Sequence, residues 1–318
     1  MNATTSTADD IIKVSLTSLI KLSQQAKQLP LKSKRIHSQL SGSYTSTFKG
    51  RGMEFDEARP YQPGDDIRSI DWRVTARTGK THTKLYREER ERPVLICLDL
   101  RRPMFFASQQ MYKSVLAAKA AALIAWSSSQ HSDRLGGLIF SEQQHTELRP
   151  QRGKSATLHF LKRITEHDAW NTNNEHTNAV ETEPKNSINQ ALNRLRRVTK
   201  PGSLVFLISD FRNVDAHTES SLAQMSRHND LVMIFISDPL EEQLPPAGYY
   251  KLSDGQNELT INTSKKEMRE DYQQRFLDHQ QYLKDCCKKF GILYISISTP
   301  QNILDALQQG LCNKPSKL

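Results

Sequence analysis

The residues that decide the fold read Val94-Leu-Ile-Cys-Leu-Asp99, a short apolar run that ends on a carboxylate. Five consecutive apolar side chains predict a strand buried on both faces, as in a parallel sheet. In an open α/β sheet, ligands bind outside the carboxyl ends of the strands. The position of Asp99 therefore makes it the first candidate for a functional residue.

Downstream of Asp99, predicted helices alternate with predicted strands. The strands are expected at 135–140, 145–148, 204–209, 231–237 and 292–297, and the helices at 111–126, 156–164, 187–198, 222–228, 265–290 and 302–309. A polar hairpin is expected over 249–252 and 258–261. This alternation predicts an α/β fold with an open, mostly parallel sheet of the Rossmann type and helices on both faces.

A second carboxylate, Asp210, directly follows the predicted strand Leu204–Ser209. Right-handed crossovers bring the carboxyl ends of this strand and of the strand ending at Asp99 to the same edge of the sheet. If the strand order reverses between them, Asp99 and Asp210 lie in one crevice at the switch point. This crevice is the candidate binding site.

The chain is predicted to have three parts. Residues 1–30 carry apolar side chains at helical spacing up to Pro30, which predicts an amphipathic helix. Residues 31–92 form a charged, β-rich module with turn signals, and residues 93–318 form the α/β domain. Within that domain, the polar and Asn-rich stretch 165–184 is predicted to be a flexible insertion.

The module contains four short motifs, Gly52-Met-Glu-Phe-Asp56, Arg59-Pro-Tyr61, Pro63-Gly-Asp-Asp66 and Ile70-Asp-Trp-Arg73. In this order they closely resemble the bacterial family catalogued as domain of unknown function 58. The resemblance covers residues 35–310. The signature residues are Glu54, Phe55, Asp56, Arg59, Tyr61, Pro63, Gly64, Asp65, Asp66, Asp71, Trp72 and Arg73.

The resemblance implies a von Willebrand A-like domain that carries the module as an extra N-terminal segment. It also implies partners, namely a MoxR-type AAA+ ATPase and other von Willebrand A-like proteins. The expected function is that of a non-enzymatic adaptor or assembly factor. The energy would then come from the ATPase and not from this chain.

The resemblance further implies a metal-ion-dependent adhesion site, in which an Asp-x-Ser-x-Ser motif, a threonine and a later aspartate hold Mg²⁺. Asp99 and Asp210 match the two aspartates, but Arg101 and Pro103 stand at the serine positions. The threonine position falls near Asn186-Ser187. Proline has no side-chain oxygen and arginine brings a fixed positive charge, so we expect a degenerate site that binds Mg²⁺ weakly or not at all.

Arg101 has two predicted uses at this site. It could pair with Asp99 or Asp210 in place of the cation, or present its guanidinium to an acidic partner. Asp99, Arg101 and Asp210 are therefore the predicted partner-binding residues. The alternative is that the two aspartates only cap helices or accept hydrogen bonds from loop amides.

The net charge of +9 is concentrated in residues 1–92, which hold 17 Lys and Arg against 11 Asp and Glu. Charges of both signs alternate there, as in residues 87–92, which favours protein contacts over the one-sign stripe that suits nucleic acid. Nucleic-acid binding by this basic third remains an alternative. A hydrolase using the carboxylates between Glu54 and Asp71 is another, although nearby arginines predict a neutralised network. Trp72 and Tyr61 are expected to be packing anchors of the module.

The remaining composition indicates the cellular setting. The four cysteines have no CxxC spacing, which predicts reduced thiols. The chain has no run of about 18 apolar residues and no basic, apolar N-terminus, so we expect neither a membrane span nor a secretory signal. We therefore expect a cytoplasmic protein without a confident cofactor.

Overall fold

The computed structural model describes residues 9–31, 53–88, 92–172, 187–253 and 258–312. The chain divides into two compact units, a larger one of Met1–Ser33 with Arg92–Leu318 and a smaller one of Lys34–Glu91. Among the described residues, no helix has the length and the apolar composition that crossing a bilayer requires.

Helices and strands alternate through most of the larger unit, and the elements between residues 53 and 88 belong to the smaller unit. The helices are α1 (Asp9–Ile12), α2 (Leu16–Lys21), α3 (Trp72–Thr78), α4 (Lys113–Gln130), α5 (Gly153–Thr165), α6 (Ala169–Thr172), α7 (Ser187–Val198), α8 (Ala216–Ser226), α9 (Pro239–Glu242), α10 (Lys266–Phe290) and α11 (Ile303–Cys312). The strands are β1 (Met53–Pro60), β2 (His82–Glu88), β3 (Pro93–Asp99), β4 (Arg134–Phe140), β5 (His145–Arg152), β6 (Leu204–Ser209), β7 (Asp230–Ser237), β8 (Tyr249–Ser253), β9 (Glu258–Asn262) and β10 (Leu293–Ser298).

Six strands form one sheet in the order β10-β7-β6-β3-β4-β5. All neighbouring strands are parallel except β4 and β5, which are antiparallel. From β3 the chain passes to β4 on one side and later returns to β6 on the other. The strand order therefore reverses between β3 and β6, which confirms the expected switch point.

Helices cover both faces of this sheet, as the strand pattern predicted. Leu95 and Cys97 of β3 belong to a core formed with α7, α8 and α10. Val94, Ile96 and Leu98 face the opposite core, which includes α4, α5, α11 and the N-terminal segment. The strand is buried on both sides because alternate residues point to opposite faces. The mixed α/β class with a mostly parallel sheet is confirmed.

Close packing between β4 and α5 depends on a glycine. A Cβ atom on Gly137 would lie 2.6 Å from the carbonyl oxygen of Ile96 and 2.7 Å from Cε2 of Phe160. Phe160 is 1% exposed and cannot move towards solvent without opening the core. Only glycine fits at this position.

The single N-terminal helix predicted over residues 1–30 is wrong for the described part of that range. Helices α1 and α2 are separated, and a 3₁₀ turn follows at Gln25–Gln28. The break occurs because Ser15 has extended backbone angles and its side chain accepts a hydrogen bond from the amide of Ser18, which makes it an N-cap. Trp126 of α4 donates to the carbonyl of Leu19 over 3.0 Å, so the segment is held against α4.

The predicted flexible insertion at 165–184 is also wrong over its first eight residues. Trp170 lies in α6, is 4% exposed, and packs edge-on against Phe105 with ring centroids 5.3 Å apart. Its indole nitrogen donates to the carbonyl of Ile164 over 2.7 Å. The polar composition of this stretch gave no sign that Trp170 is buried. Residues 173–184 lie outside the described residues.

The smaller unit, predicted as a β-rich module over 31–92, contains an antiparallel ribbon of β1 and β2. It also contains a helix, α3, that the sequence did not predict. Asp71 caps this helix by accepting hydrogen bonds from the amides of Arg73 and Val74, and Gly79 ends it with φ of 69°. At seven residues, α3 is too short to show a helical period.

Candidate functional site at the carboxyl edge of the sheet

Asp99 and Ser209 lie side by side at the switch point. The register pairs Leu98 with Ile208, so the next residue along each strand, Asp99 and Ser209, meets at the edge. The hydroxyl of Ser209 donates to Oδ2 of Asp99 over 2.6 Å. Asp99 is fully buried and Ser209 is 3% exposed. The polar side chains at this edge are therefore as buried as the apolar core.

Arg101 folds back onto Asp99 through its guanidinium. Nε donates to both carboxylate oxygens of Asp99, at 3.0 and 2.9 Å, and Nη2 donates to Oδ2 over 2.6 Å. Burial lowers the pKa of Arg101, but the Asp99 carboxylate raises it, and the net pKa lies above the ordinary value. Arg101 is 5% exposed, with its guanidinium carbon 5.7 Å from the centroid of the Phe140 ring. Of its two predicted uses, the structure shows the pairing with Asp99.

Asp210 is paired with a second buried cation, Lys113, the first residue of α4. Nζ of Lys113 lies 3.0 Å from Oδ2 of Asp210 and 2.7 Å from Oε1 of Glu241. Arg101 is also near, with Nη2 at 3.8 Å from Oδ1 of Asp210. Burial raises the pKa of Asp210, but Lys113, Arg212 and Arg101 lower it, so its pKa lies below the ordinary value.

Arg212 extends the network from the core to the surface. Nε lies 3.4 Å from Oδ2 of Asp210, and Nη2 lies 2.6 Å from Oε1 of Glu241. Its side chain is 51% exposed, in contrast to the 6% of Arg101. Arg212 is therefore the member of the network that a partner protein can reach.

The loop that holds Asp210 has a strained backbone. Phe211 and Asn213 have φ of 50° and 63°, in the left-handed region that non-glycine residues seldom adopt. The amide of Phe211 donates to Oγ of Ser209 over 2.9 Å, and the Phe211 ring is buried. Such strain persists where surrounding contacts fix it, and it recurs at functional sites.

A third buried aspartate, Asp238, joins the neighbouring loops at the same edge. It follows β7 and accepts hydrogen bonds from the hydroxyl of Ser108, the hydroxyl of Thr299 over 2.7 Å and the amide of Leu240 over 3.0 Å. Burial raises the pKa of Asp238, but the hydrogen bonds from Ser108 and Thr299 lower it, and the net direction is downward. These contacts fix the loops after β3, β7 and β10 relative to one another.

The residues at this edge do not fit a divalent cation. Both oxygens of Asp99 accept hydrogen bonds from Arg101, and Asp210 faces the ammonium of Lys113. A Mg²⁺ ion needs oxygen ligands with free lone pairs and neighbours that carry no positive charge. Among the described residues, no three His, Cys, Asp or Glu side chains come together as a metal cluster. Pro103 lies in a 3₁₀ turn, and Asn186 lies outside the described residues.

The predicted signature residues of the smaller unit mainly shape its loops. Arg59 pairs with Asp65 over 2.7 Å, and the amide of Gln62 also donates to Asp65, which lowers the pKa of that carboxylate. Tyr61 donates to the carbonyl of Asp65 over 3.3 Å. Gly64 turns the chain with φ of 107° after Pro63. The side chains of Glu54, Phe55 and Asp56 lie outside the described residues.

Asp66 and Asp71 do not pair with neighbouring guanidinium groups in the way the charged network predicted. Asp66 accepts from the backbone amide of Arg68, and Asp71 accepts from the backbone amide of Arg73. Both act as caps of short helical turns. The prediction that Trp72 is a packing anchor is wrong, because its side chain is 69% exposed.

The sequence did not identify Lys113, Ser209, Arg212 or Glu241 as site residues. Lys113 is fully buried, and it begins a helix that is otherwise rich in alanine and leucine. A lysine at the start of such a run is a signal that points to a buried carboxylate partner. Ser209 could have been recognised as the polar end of an apolar strand beside β3.

Residues 57–282 match the family described as "Protein of unknown function DUF58". Over 269 residues the chain is 27% identical to uncharacterized proteins of Mycobacterium bovis and Mycobacterium tuberculosis, and the alignment covers 83% of this chain and 80% of each relative.

Two solved structures are similar at 15% sequence identity, each over 69% of this chain. One is the conserved hypothetical protein BatB from Bacteroides thetaiotaomicron, with a TM-score of 0.43 over 97% of that chain. The other is an aerotolerance-related membrane protein from Bacteroides fragilis, carrying multiple mutations to serines, with a TM-score of 0.44 over 98% of that chain. From the match over residues 57–282, the chain belongs to the DUF58 family of proteins of unknown function.

Proposed function

We propose that this protein is a non-enzymatic cytoplasmic adaptor with a von Willebrand A-like domain, which binds a MoxR-type AAA+ ATPase and other protein partners. The binding surface is the carboxyl edge of the sheet around Asp99, Arg101 and Asp210. Partner recognition at this edge does not require a metal ion. The ATPase supplies the energy for the joint activity.

The observation that carries this proposal is the pairing of two buried carboxylates with two side-chain cations. Arg101 and Lys113 bring two positive charges against the buried carboxylates Asp99 and Asp210. In a metal-ion-dependent adhesion site, the ion attracts an acidic residue of the partner. Here Arg212, which is exposed and tied to Asp210, offers a guanidinium to that residue.

The side chains of the edge favour binding over catalysis. Ser209 has the only hydroxyl that contacts Asp99 among the described residues, and it is 3% exposed. It donates to Asp99, whose two oxygens also accept from Arg101, and it accepts from the amide of Phe211. A nucleophile needs a base within hydrogen-bond reach and access to substrate.

The first test asks whether a cation binds to the chain alone. A ligand that binds the native state raises the melting temperature in proportion to the logarithm of its concentration. We expect the same melting temperature in about 10 mM Mg²⁺ as in EDTA, since no binding means no shift. A reproducible rise in Mg²⁺ that is absent in Asp99→Asn would overturn metal independence.

The second test asks whether the edge is the partner surface. The purified chain is titrated with a MoxR-type ATPase encoded in the same genome, and affinity is measured for the wild type and for Arg102→Gln/Arg212→Gln. Both arginines are exposed at the edge, and we expect affinity to fall about tenfold or more because charged contacts are lost. Arg227→Gln is the matched control, because Arg227 is exposed and precedes the amino end of β7. Equal affinity of all three proteins would exclude the edge as the interface.

A further inference from the structure

Helix α3 of the smaller unit exposes an indole and two guanidinium groups along one face. Trp72 is 69% exposed, and Arg73, Ala76 and Arg77 are exposed as well. Residues four apart are neighbours on a helix surface, so Trp72 lies next to Ala76 and Arg73 next to Arg77. The short side chain of Ala76 provides little cover for the indole.

The 3₁₀ turn at Ile67–Ser69, which ends two residues before α3 begins, is exposed at its first two residues. Ile67 is 67% exposed, and Arg68 is exposed beside it. Single exposed apolar residues are common on proteins. Tryptophan together with arginine, however, is the combination that recurs at the centres of protein interfaces.

The arginines of this surface form no ion pair with the carboxylates that the structure describes. The nearest carboxylates in sequence, Asp66 and Asp71, accept hydrogen bonds from backbone amides at the starts of the two helical turns. The guanidinium groups of Arg68, Arg73 and Arg77 make no ion pair with any side chain that the structure describes. Their charge is therefore available to an external ligand.

We propose that this surface, which we call the α3 face and define as Ile67, Arg68, Trp72, Arg73 and Arg77, binds an acidic segment of a partner protein. The carboxylates of the segment pair with the arginines, and an aliphatic side chain of the segment packs on the Trp72 indole. The aliphatic Ile67 favours a protein ligand over nucleic acid. The inference rests on the proposed function in one respect, namely that this protein binds protein partners.

The accessibility of the α3 face can be measured with intrinsic fluorescence. Of the three tryptophans, Trp126 and Trp170 are each 4% exposed, whereas Trp72 is 69% exposed. Collisional quenching of the full-length chain therefore reports on Trp72. We expect iodide to quench better than caesium, because the arginines attract anions, and Arg73→Gln/Arg77→Gln to reduce that difference. Absence of quenching would show that the indole is covered and would overturn the proposal.

Binding is then measured with a defined probe, a fluorescein-labelled 12-residue peptide in which glutamate alternates with leucine and glycine. The same peptide with glutamine for glutamate is the charge control, and an oligothymidylate of similar length is the nucleic-acid arm. We expect the acidic peptide to bind with an affinity that falls as salt rises. Trp72→Ala and Arg73→Gln/Arg77→Gln should each weaken it about tenfold.

Matched substitutions on the larger unit control for general effects. Tyr249 is 76% exposed and Arg227 is exposed, so Tyr249→Ala and Arg227→Gln remove an aromatic and a charge elsewhere. We expect both to leave peptide binding unchanged. Preferential binding of the oligothymidylate, binding of neither probe, or equal loss in the controls would each overturn the inference. The ATPase is absent from this experiment, so a negative result would overturn the α3-face inference alone. The proposed function is tested separately by the ATPase titration.

Discussion

The buried pair of Asp99 and Arg101 predicts a large and specific loss of stability when the arginine is replaced. Arg101→Met keeps the length of the aliphatic stem but removes the cation. Asp99 is fully buried, and Arg101 is the cation within ion-pair distance of it among the described residues. Its remaining donors are the hydroxyl of Ser209 and the backbone amide of residue 101.

The expected loss of unfolding free energy follows from the buried charge that Asp99 keeps when Arg101 is replaced. Removing one partner of a buried ion pair costs about 3–5 kcal/mol. For a unit of this size, each kcal/mol lowers the melting temperature by about 2–4 °C, so a fall of roughly 6–20 °C is expected. Arg102→Met is the matched control, because Arg102 is adjacent and exposed, and we expect it to change the free energy of unfolding by about 0.5 kcal/mol or less.

The assay is urea unfolding followed by the emission of Trp126 and Trp170, which are both buried in the larger unit. Asp99→Asn/Arg101→Met should recover much of the lost free energy, because no unpaired charge is left in the core. The two single variants and the double variant form a cycle, with an expected coupling of about 2 kcal/mol or more. A loss below about 1 kcal/mol for Arg101→Met would refute the reasoning, since that is the value of a solvated pair.

Three further predictions concern packing and pH. Gly137→Ala should lower the free energy of unfolding by about 2–4 kcal/mol in urea, because the new methyl group meets the Ile96 carbonyl and the Phe160 ring; an effect below about 0.5 kcal/mol would show that this contact relaxes freely. Burial lowers the pKa of His167, whose Nε2 has no hydrogen-bond partner in the described part of the chain. Stability should therefore fall as pH decreases below about 6.5, and His167→Gln should flatten that slope; an unchanged slope would assign it to another group. The pKa of Asp210 is lowered, so its contribution is present above about pH 4 and is lost in more acid solution. Asp210→Asn should therefore be less stable at neutral pH and show a shallower acid transition, and equal acid slopes in the two proteins would contradict this.

The strands and the switch point could be predicted because buried strands leave a strong signal. Leu204–Ser209 was predicted with the observed bounds, and β3 differs from its prediction by one residue at each end. A continuous apolar run of about 4–8 residues between polar loops fits a buried strand, because helices are longer. The two aspartates after these strands were likewise placed at one edge from topology alone.

Shorter and polar features could not be predicted in the same way. The break at Ser15 depends on a single capping hydroxyl within an apolar repeat, and α3 has too few turns to show a period. The partner of Asp210 is Lys113, nearly a hundred residues away in sequence. Hydrogen-bond partners across such separations are set by the packing of α4 on the sheet, which residue patterns do not specify.

The covalent attachment of Lys113 and Arg101 to the chain has a consequence for timing. A bound ion exchanges with solution, so a site that uses one has an empty state and a rate of refilling. Two side-chain cations are present from the moment the chain folds and never dissociate. The electric field at this edge is therefore permanent, and any on–off control of what binds there has to originate in the partner.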